Sequence, residues 1–308
     1  MRYCIAGSIN MDFVVRTPRF PVPGETLTGT SFSTFPGGKG ANQAMALAKL
    51  GAQVSFLGNV GQDIFGETYL SLFQKNGIET HGVGAVEGST GSAIIEVEDS
   101  SAQNHIIIVP GANHSITPEV VESRRDVIQS SDALLLQLEI PMDSVLCAAR
   151  IMKESGGLVI LDPAPARELP SELYTLVDWM TPNESEAAIL TGMDCQSKDG
   201  AQAAAAKIHS HGVSHVVIKN GKHGAYYAHG TDFFFSPSFP VNAVDTTAAG
   251  DSFNAGLAFA LGLKKDAKEA LRWANGVGGL ATTAFGAQEA MPSYAQLQDL
   301  LSQHSTVH

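Results

Sequence analysis

Residues 244–263, VDTTAAGDSFNAGLAFALGL, carry the strongest chemical signal in the chain. Ala248, Ala249 and Gly250 are small residues placed just before a stripe in which Phe253, Leu257 and Leu261 recur every fourth position, the spacing of a buried helix face. Free backbone N–H groups and the dipole at such a helix start attract an anion, and a glycine there allows close backbone approach. Asp251 sets a carboxylate beside that anion site. It reads either as an acidic residue favoured by the helix dipole or as a general base, taking a proton from a hydroxyl that attacks a phosphate.

A second signal is Gly37-Gly38-Lys39-Gly40-Ala41-Asn42-Gln43-Ala44. It lacks the GxxxxGK[ST] spacing of a nucleotide-cradling loop, and no GxGxxG follows the first apolar run, which argues against a dinucleotide fingerprint. What remains is a flexible glycine run that brings backbone, Lys39 and Asn42 toward a polar group, or a tight turn with a solvated lysine. Asn10 and Asp12 follow the first apolar run, and Glu139 ends the run ALLLQLE. Ligands of α/β sheets collect at such strand ends, although an N-x-D pair also serves as a turn or cap. In TPNESE, Asn183 and Glu186 have the spacing of a helix capping box. A polar site for hydrated Mg²⁺ is the sharper reading.

Positioning these groups requires strand ends and helix starts that converge. Short apolar runs at 3–9, 54–57, 133–138, 158–161, 179–181 and 216–219 alternate with helical patterns at 41–50, 65–76, 118–129, 142–154, 184–190 and 200–211. Near-continuous apolar strands separated by helices predict an α/β fold, a Rossmann-like and mostly parallel sheet covered on both faces. Two segments break the rhythm. Residues 10–36 are rich in Thr, Ser, Pro and Phe, and 89–109 read as a hairpin around DSSAQN. If they pair into a small β sheet, it sits over an edge of the core as a lid; ordinary surface hairpins are the alternative. The expected division is a core of 1–9, 37–88 and 110–308, with a lid of 10–36 and 89–109.

The 308 residues include 31 acidic against 19 basic ones, a formal charge of −12. Nucleic-acid binding depends on basic residues that neutralise phosphates, so a nucleic-acid partner is excluded. Cys4, Cys147 and Cys195 follow no metal or disulfide spacing and read as small buried hydrophobes in a reducing compartment. No apolar run reaches the roughly 18 residues of a membrane span, and the N-terminal MRYCIAGSIN turns polar too early for a signal peptide. The expectation is a cytoplasmic protein with no membrane partner.

The motifs GSIN-x-D at 7–12, GGKGANQA, LQLE, DPAPARELP at 162–170, TPNE and VDTTAAGDSFN together resemble the ribokinase-like carbohydrate kinase family, nearly end to end. The resemblance implies a small β lid through which two copies dimerise. It also implies ATP-dependent phosphorylation of a sugar hydroxyl, most closely D-ribose to D-ribose 5-phosphate, with Mg²⁺ and an activating K⁺. Carried over by motif, Asp251 is the catalytic base, and the amides of Ala248, Ala249 and Gly250 form the anion hole. Asn10, Asp12, Gly38, Lys39, Asn42 and Glu139 hold sugar hydroxyls. Asn183 and Glu186 organise the Mg²⁺-bound phosphates, while Lys219, Gly221, Gly224 and Asn275 line the nucleotide site. Asp245 and the carbonyls of Thr247, Ala281, Ala284 and Gly286 surround the monovalent cation.

Two departures stand out. Lys219 and Asn220 occupy a place where the family usually has Thr or Ser, which exchanges a hydroxyl for an ammonium. Glu289 and Ala290 stand where the family commonly offers Ser, removing a hydroxyl ligand for the cation. Deoxyribose, a ketohexose or a nucleoside are alternative acceptors; a nucleoside base would need a slot such as Phe20, Phe32 and Phe35 could build. A non-catalytic sugar or nucleotide sensor and a nicotinamide dehydrogenase are the alternatives from other classes. Gly37, Gly38, Gly40, Gly221 and Gly250 are expected where backbone approaches ligand.

Overall fold

The computed structural model describes residues 1–101 and 103–304. Among them thirteen strands form two sheets: β1 (Arg2–Ala6), β2 (Asn10–Thr17), β3 (Ser31–Gly37), β4 (Gln53–Gly61), β5 (Ile78–Val86), β6 (Gly91–Glu98), β7 (Asn104–Val109), β8 (Ala133–Leu136), β9 (Leu158–Leu161), β10 (Trp179–Met180), β11 (His215–Asn220), β12 (Gly224–His229) and β13 (Asp232–Pro237). The larger sheet runs β13-β12-β11-β10-β9-β8-β1-β4-β5. From β11 to β5 every neighbouring pair is parallel, and β12 and β13 extend it antiparallel.

The central strands are apolar throughout because both of their faces are covered. Along β1, Tyr3 and Ile5 enter one core and Cys4 and Ala6 the other; Leu135 and Leu134 divide the same way in β8. The helices Lys39–Lys49, Ala249–Gly262 and Ala267–Ala281 pack on the first face, and Met142–Glu154 and Lys198–Ser210 on the second. Each fully buried Leu or Phe contributes roughly 1.5–3 kcal/mol relative to exposure. Cys4, Cys147 and Cys195 are free and buried. Among the described residues no helix is long and apolar enough to cross a membrane.

Strands from the two irregular segments do pair. The small sheet has the order β3-β2-β6-β7, with antiparallel β2–β3 and β6–β7 hairpins joined by a parallel β2–β6 contact. Ala102, within the DSSAQN segment of the sequence reading, lies outside the described residues.

Several boundaries differ from the sequence reading. β1 stops at Ala6 and β8 at Leu136, because the chain leaves the sheet where the helix Lys39–Lys49 packs on it. A Cβ on Gly7 would lie 2.9 Å from Gly40 Cα, which shows how closely the two segments meet. The helix expected over 118–129 is two helices, Pro118–Ser123 and Arg125–Gln129. Arg124 sits at the break and donates to the carbonyls of Gly58 and Gly82, at 2.8 and 3.1 Å. β5, β12 and β13 were not expected. They lie toward the sheet edges, where half-exposed faces interrupt the apolar runs.

Candidate active site

After β1 the chain turns through Gly7, Ser8 and Ile9 into β2, and the helix Lys39–Lys49 begins directly on that turn. The closeness requires glycine. A Cβ on Gly38, where φ is 89°, would lie 2.7 Å from Asn10 N; on Gly40, 2.7 Å from Ser8 N; on Gly37, 2.1 Å from Asp12 Oδ2. At each of these three glycines the space a Cβ would need is taken by the protein's own chain, so glycine is required for the packing of this corner itself. Glu139, just after β8, completes this corner: its Oε2 accepts from the Ser8 hydroxyl and from Lys39 N at 3.0 Å. Asn10 is oriented by Asn113, whose Nδ2 donates to Asn10 Oδ1 at 2.8 Å. The Asn10 amide hydrogens are thus directed away from that contact.

The helix Ala249–Gly262 approaches the same point. Its N-cap, Ala248, has φ 59° and ψ 14°, a left-handed conformation that costs a non-glycine residue on the order of 1 kcal/mol or more. No side chain caps this helix, whereas Asp63, Asn183, Ser197, Asp266 and Ser293 cap others. The Ala249 amide already donates to Thr246 O at 3.2 Å, so an anion there competes with that contact. Asp251 is 5% exposed; its Oδ2 accepts from Asn42 Nδ2 at 2.9 Å. Its Oδ1 is buried without a hydrogen-bond partner.

The electrostatics are concentrated here. Burial pushes Asp251 up to about 6 against the pull of Lys39, with Asp162 and Glu139 adding to the rise. Asp12 is pushed up to about 7 by burial and then by Glu139 and Asp251. For Lys39, burial disfavours the charge, but Asp251, Asp162, Glu139 and Glu186 outweigh it and hold the ammonium above its ordinary range. Lys39 therefore stays charged, while burial and neighbouring negative charge make Asp12 and Asp251 resist ionising.

The larger of two neighbouring cavities, about 370 Å³, is lined by Lys219, Gly221, Gly224, Ala249, Gly250 and Asn275. Phe239, Pro240 and Val241 give it an apolar wall. Lys219 pairs with Asp162 at 2.8 Å, the two being 11% and 3% exposed. A Cβ on Gly250 would meet only Lys219 Nζ, at 3.6 Å, so this lysine faces the start of the helix. Asn275 is tied to β13 through Ser236 and Pro237. Asn183 and Glu186 form a reciprocal capping box, at 2.7 and 2.8 Å, which is the structural of their two readings. Burial raises the Glu186 carboxyl, with Lys219 opposing, so it too faces this charged corner.

The second cavity, about 250 Å³, lies beside Glu139 and Asn10 and is walled by Asn113, His114, Ile108 and Arg167. Phe20, Phe32 and Phe35 are not among its walls; Phe20 stacks on His105 and Phe32 on Phe13. Near the Ala249 helix start, Asp245 joins two loops by accepting from Thr247 N and Oγ1 and from Gly286 N. Ala281 ends the helix Ala267–Ala281, and Ala284 lies in the turn that follows. Burial opposes ionisation of Asp245, but the donated hydrogen bonds win and lower its pKa. Among the described residues no three His, Cys, Asp or Glu side chains gather as a metal cluster.

Sequence reasoning missed Asp162, Gln43, whose Nε2 donates to Asp162 Oδ2 at 3.3 Å, Asn113 and Gln288. Asp162 follows the apolar β9 run just as Glu139 follows β8, so the strand-end rule points to it equally well. Asn113 lies in the short 3-10 helix Gly111–Ser115 and Gln288 in a turn, and neither has a spacing that gives a signal.

Two helix starts, one open and apolar-walled cavity, and a buried carboxylate with an unpartnered oxygen define a phosphotransferase-type site. Residues 2–294 match the model of the pfkB family carbohydrate kinases, and the chain belongs to that family. It is 41% identical over 298 residues to the ribokinase of Haemophilus influenzae, covering 96% of this chain and 97% of that one. It is 36% identical over 304 residues to the deoxyribokinase of Salmonella typhimurium, covering 98% and 99%. The Arabidopsis thaliana ribokinase, solved with ribose and ATP, superposes with a TM-score of 0.92 at 34% identity, covering 97% of this chain and 98% of that one.

Proposed function

We propose that the protein transfers the γ-phosphoryl group of ATP to D-ribose, giving D-ribose 5-phosphate, with Asp251 as the general base. The observation that carries this reading is the orphaned Asp251 Oδ1, buried at the start of the helix Ala249–Gly262 and beside the cavity that Lys219 faces. The sugar lies between Asn10, Asp12, Gly38, Lys39, Asn42 and Glu139, which aim one hydroxyl at Oδ1. As the oxygen of that sugar hydroxyl attacks phosphorus, its proton passes to Asp251, the bond to ADP breaks, and the amides of 248–250 meet the growing charge. Alignment of the reactants supplies on the order of 7–11 kcal/mol in favourable cases, and each good anion-hole donor about 3 kcal/mol.

Asn183 and Glu186 would hold the Mg²⁺ that accompanies ATP, whose charge neutralises the phosphates. The carboxylate and carbonyl donors of Asp245, Thr247, Ala281, Ala284 and Gly286 suit K⁺, and Asp245 already joins their two loops. The small sheet acts as a lid of 10–36 and 89–109 over a core of 1–9, 37–88 and 110–308, excluding water when it closes. Ile106, Ile107, Ile108 and Val109 are exposed on it, which supports homodimerisation through the lids. Three free, buried cysteines are consistent with the cytoplasm.

Deoxyribose is the second acceptor to weigh, since the Salmonella relative bears that activity in its name. ADP release measured against a panel of ribose, deoxyribose, ketohexoses and nucleosides tests the reading. The highest kcat/KM is expected for ribose, and the product carries phosphate on the 5-oxygen. ADP formation that no sugar stimulates would contradict it. Because Asp251 must be ionised to accept the proton, turnover is expected to fall as pH drops through about 6.

A further inference from the structure

We propose that Gln288 is a positioning residue for the base, holding Asn42 in the one amide orientation that leaves Asp251 Oδ1 free for the substrate hydroxyl. The inference rests on the reading of Asp251 as the base. Gln288 is 5% exposed, and its Nε2 donates to two acceptors, Asn42 Oδ1 at 3.1 Å and Tyr69 OH at 3.2 Å. Both amide hydrogens are thus engaged, and the group cannot rotate without losing both bonds. Tyr69 OH in turn donates to Gly37 O, so it has its remaining lone pair to offer Gln288. Asn42 then has its oxygen toward Gln288 and its nitrogen toward Asp251 Oδ2.

Charge fixes the direction of this chain. An ionised Asp251 only accepts, so Asn42 must present NH₂ to it, and the buried Asn42 oxygen then needs a donor. Gln288 is that donor. Reversing the Asn42 amide would set a carbonyl against the carboxylate and favour a protonated Asp251, which cannot take a proton. The backbone around Gln288 is held as well. Lys49 Nζ donates to the carbonyls of Gln288, Glu289 and Met291 at 2.7, 3.0 and 3.2 Å. Asn42 and Lys49 belong to the same helix, so both of its ends grip the segment that carries Gln288. The charged groups facing Asp251 are Lys39 from that helix, Glu139 after β8, Asp162 after β9 and Asp12 in β2; Gln288 adds no charge to them.

The test compares Gln288→Glu with Gln288→Met, using kcat as a function of pH, the KM for ATP, and the thermal midpoint as a check of folding. Gln288→Glu keeps the size but turns the donor into an acceptor that competes with Asp251 for the Asn42 amide. It is expected to lower kcat at pH 7 by about a hundredfold and move the acid limb upward by about one pH unit, with the ATP KM unchanged. Gln288→Met removes the donor alone and is expected to cost about tenfold in kcat. In an Asn42→Ala background either substitution adds little, because Gln288 acts through Asn42. A role in packing alone gives the reverse order, with the isosteric Glu milder than Met and the acid limb unmoved; that result overturns the proposal. Asp251→Asn, assayed alongside, separates the two claims. If it is inactive while both Gln288 variants are like wild type, only the positioning role falls. If it turns over normally, the reading of the base falls with it.

Discussion

The helices Lys39–Lys49 and Ala249–Gly262 meet at one site, and both begin on a residue with positive φ and no side-chain cap. At the first, the protein supplies its own anion: Glu139 accepts from Lys39 N, Ser8 accepts from Gly40 and Ala41, and Gly38 and Gly40 press against backbone. At the second, a cavity of about 370 Å³ opens over Ala249 and Gly250, and a Cβ on Gly250 would point at Lys219 Nζ in ordinary contact range. The carboxylates differ in the same way. Glu139 Oε2 accepts from two donors, while Asp251 keeps one buried oxygen unpartnered. One corner is finished by folding, and in the proposed function it positions the sugar. The other is left incomplete, and in the same proposal it receives the phosphoryl group and the hydroxyl.

Substituting the two glycines is the hardest test of this contrast. Gly40→Ala is expected to cost about 3 kcal/mol in urea unfolding, since its Cβ would press on the backbone of Gly7 and Ser8 rather than on a movable side chain. Gly250→Ala is expected to fold at least as stably, because alanine favours a helix and its Cβ is in ordinary contact range. Its kcat should nevertheless fall by about a hundredfold, because the added Cβ, on the side of Lys219, keeps a phosphoryl group from closing on the amide that alanine retains, an effect the size of one anion-hole donor. A Gly250→Ala enzyme with normal turnover would mean that no phosphoryl group passes there.

The paired carboxylates give a stability contrast. The folded pKa of Asp251, about 6, lies above its ordinary value of 3.8. Its contribution to stability is therefore complete below about pH 4 and lost as pH rises through about 6. At pH 8 Asp251→Asn should raise stability by about 2 kcal/mol, and at pH 4 it should change little. The thermal midpoint at the two pH values checks this; an equal effect at both would assign the gain to packing. The smallest effect belongs to Lys219. Lys219→Met leaves Asp162 buried without its cation, and the KM for ATP is expected to rise about tenfold, with the ribose KM little changed.

The contrast also explains what could be read from the chain beforehand. The central parallel sheet was legible because β1, β8 and β9 are buried on both faces and read as unbroken apolar runs. The edge strands β5, β12 and β13 were not, since exposed positions break the pattern. Asp251, Glu139, Lys39 and Asn42 announced themselves through strand ends and glycine-rich helix starts. The roles of those glycines divided in a way that spacing cannot show: Gly37, Gly38 and Gly40 face the protein, Gly250 the cavity. The hydrogen bonds from Asn113 to Asn10 and from Gln288 to Asn42 span sequence separations of 103 and 246 residues. No local pattern encodes such contacts.

The reading as a whole depends on the unpartnered oxygen of Asp251. It is tested most directly by measuring kcat for D-ribose with saturating ATP in Asp251→Asn at pH 8, with ATP affinity determined separately on the same protein. A loss of about 10²–10⁴ in kcat, with ATP still bound at wild-type strength, is expected for removal of a general base. Turnover within a fewfold of wild type would show that the proton leaves by another route and that Asp251 is not the base.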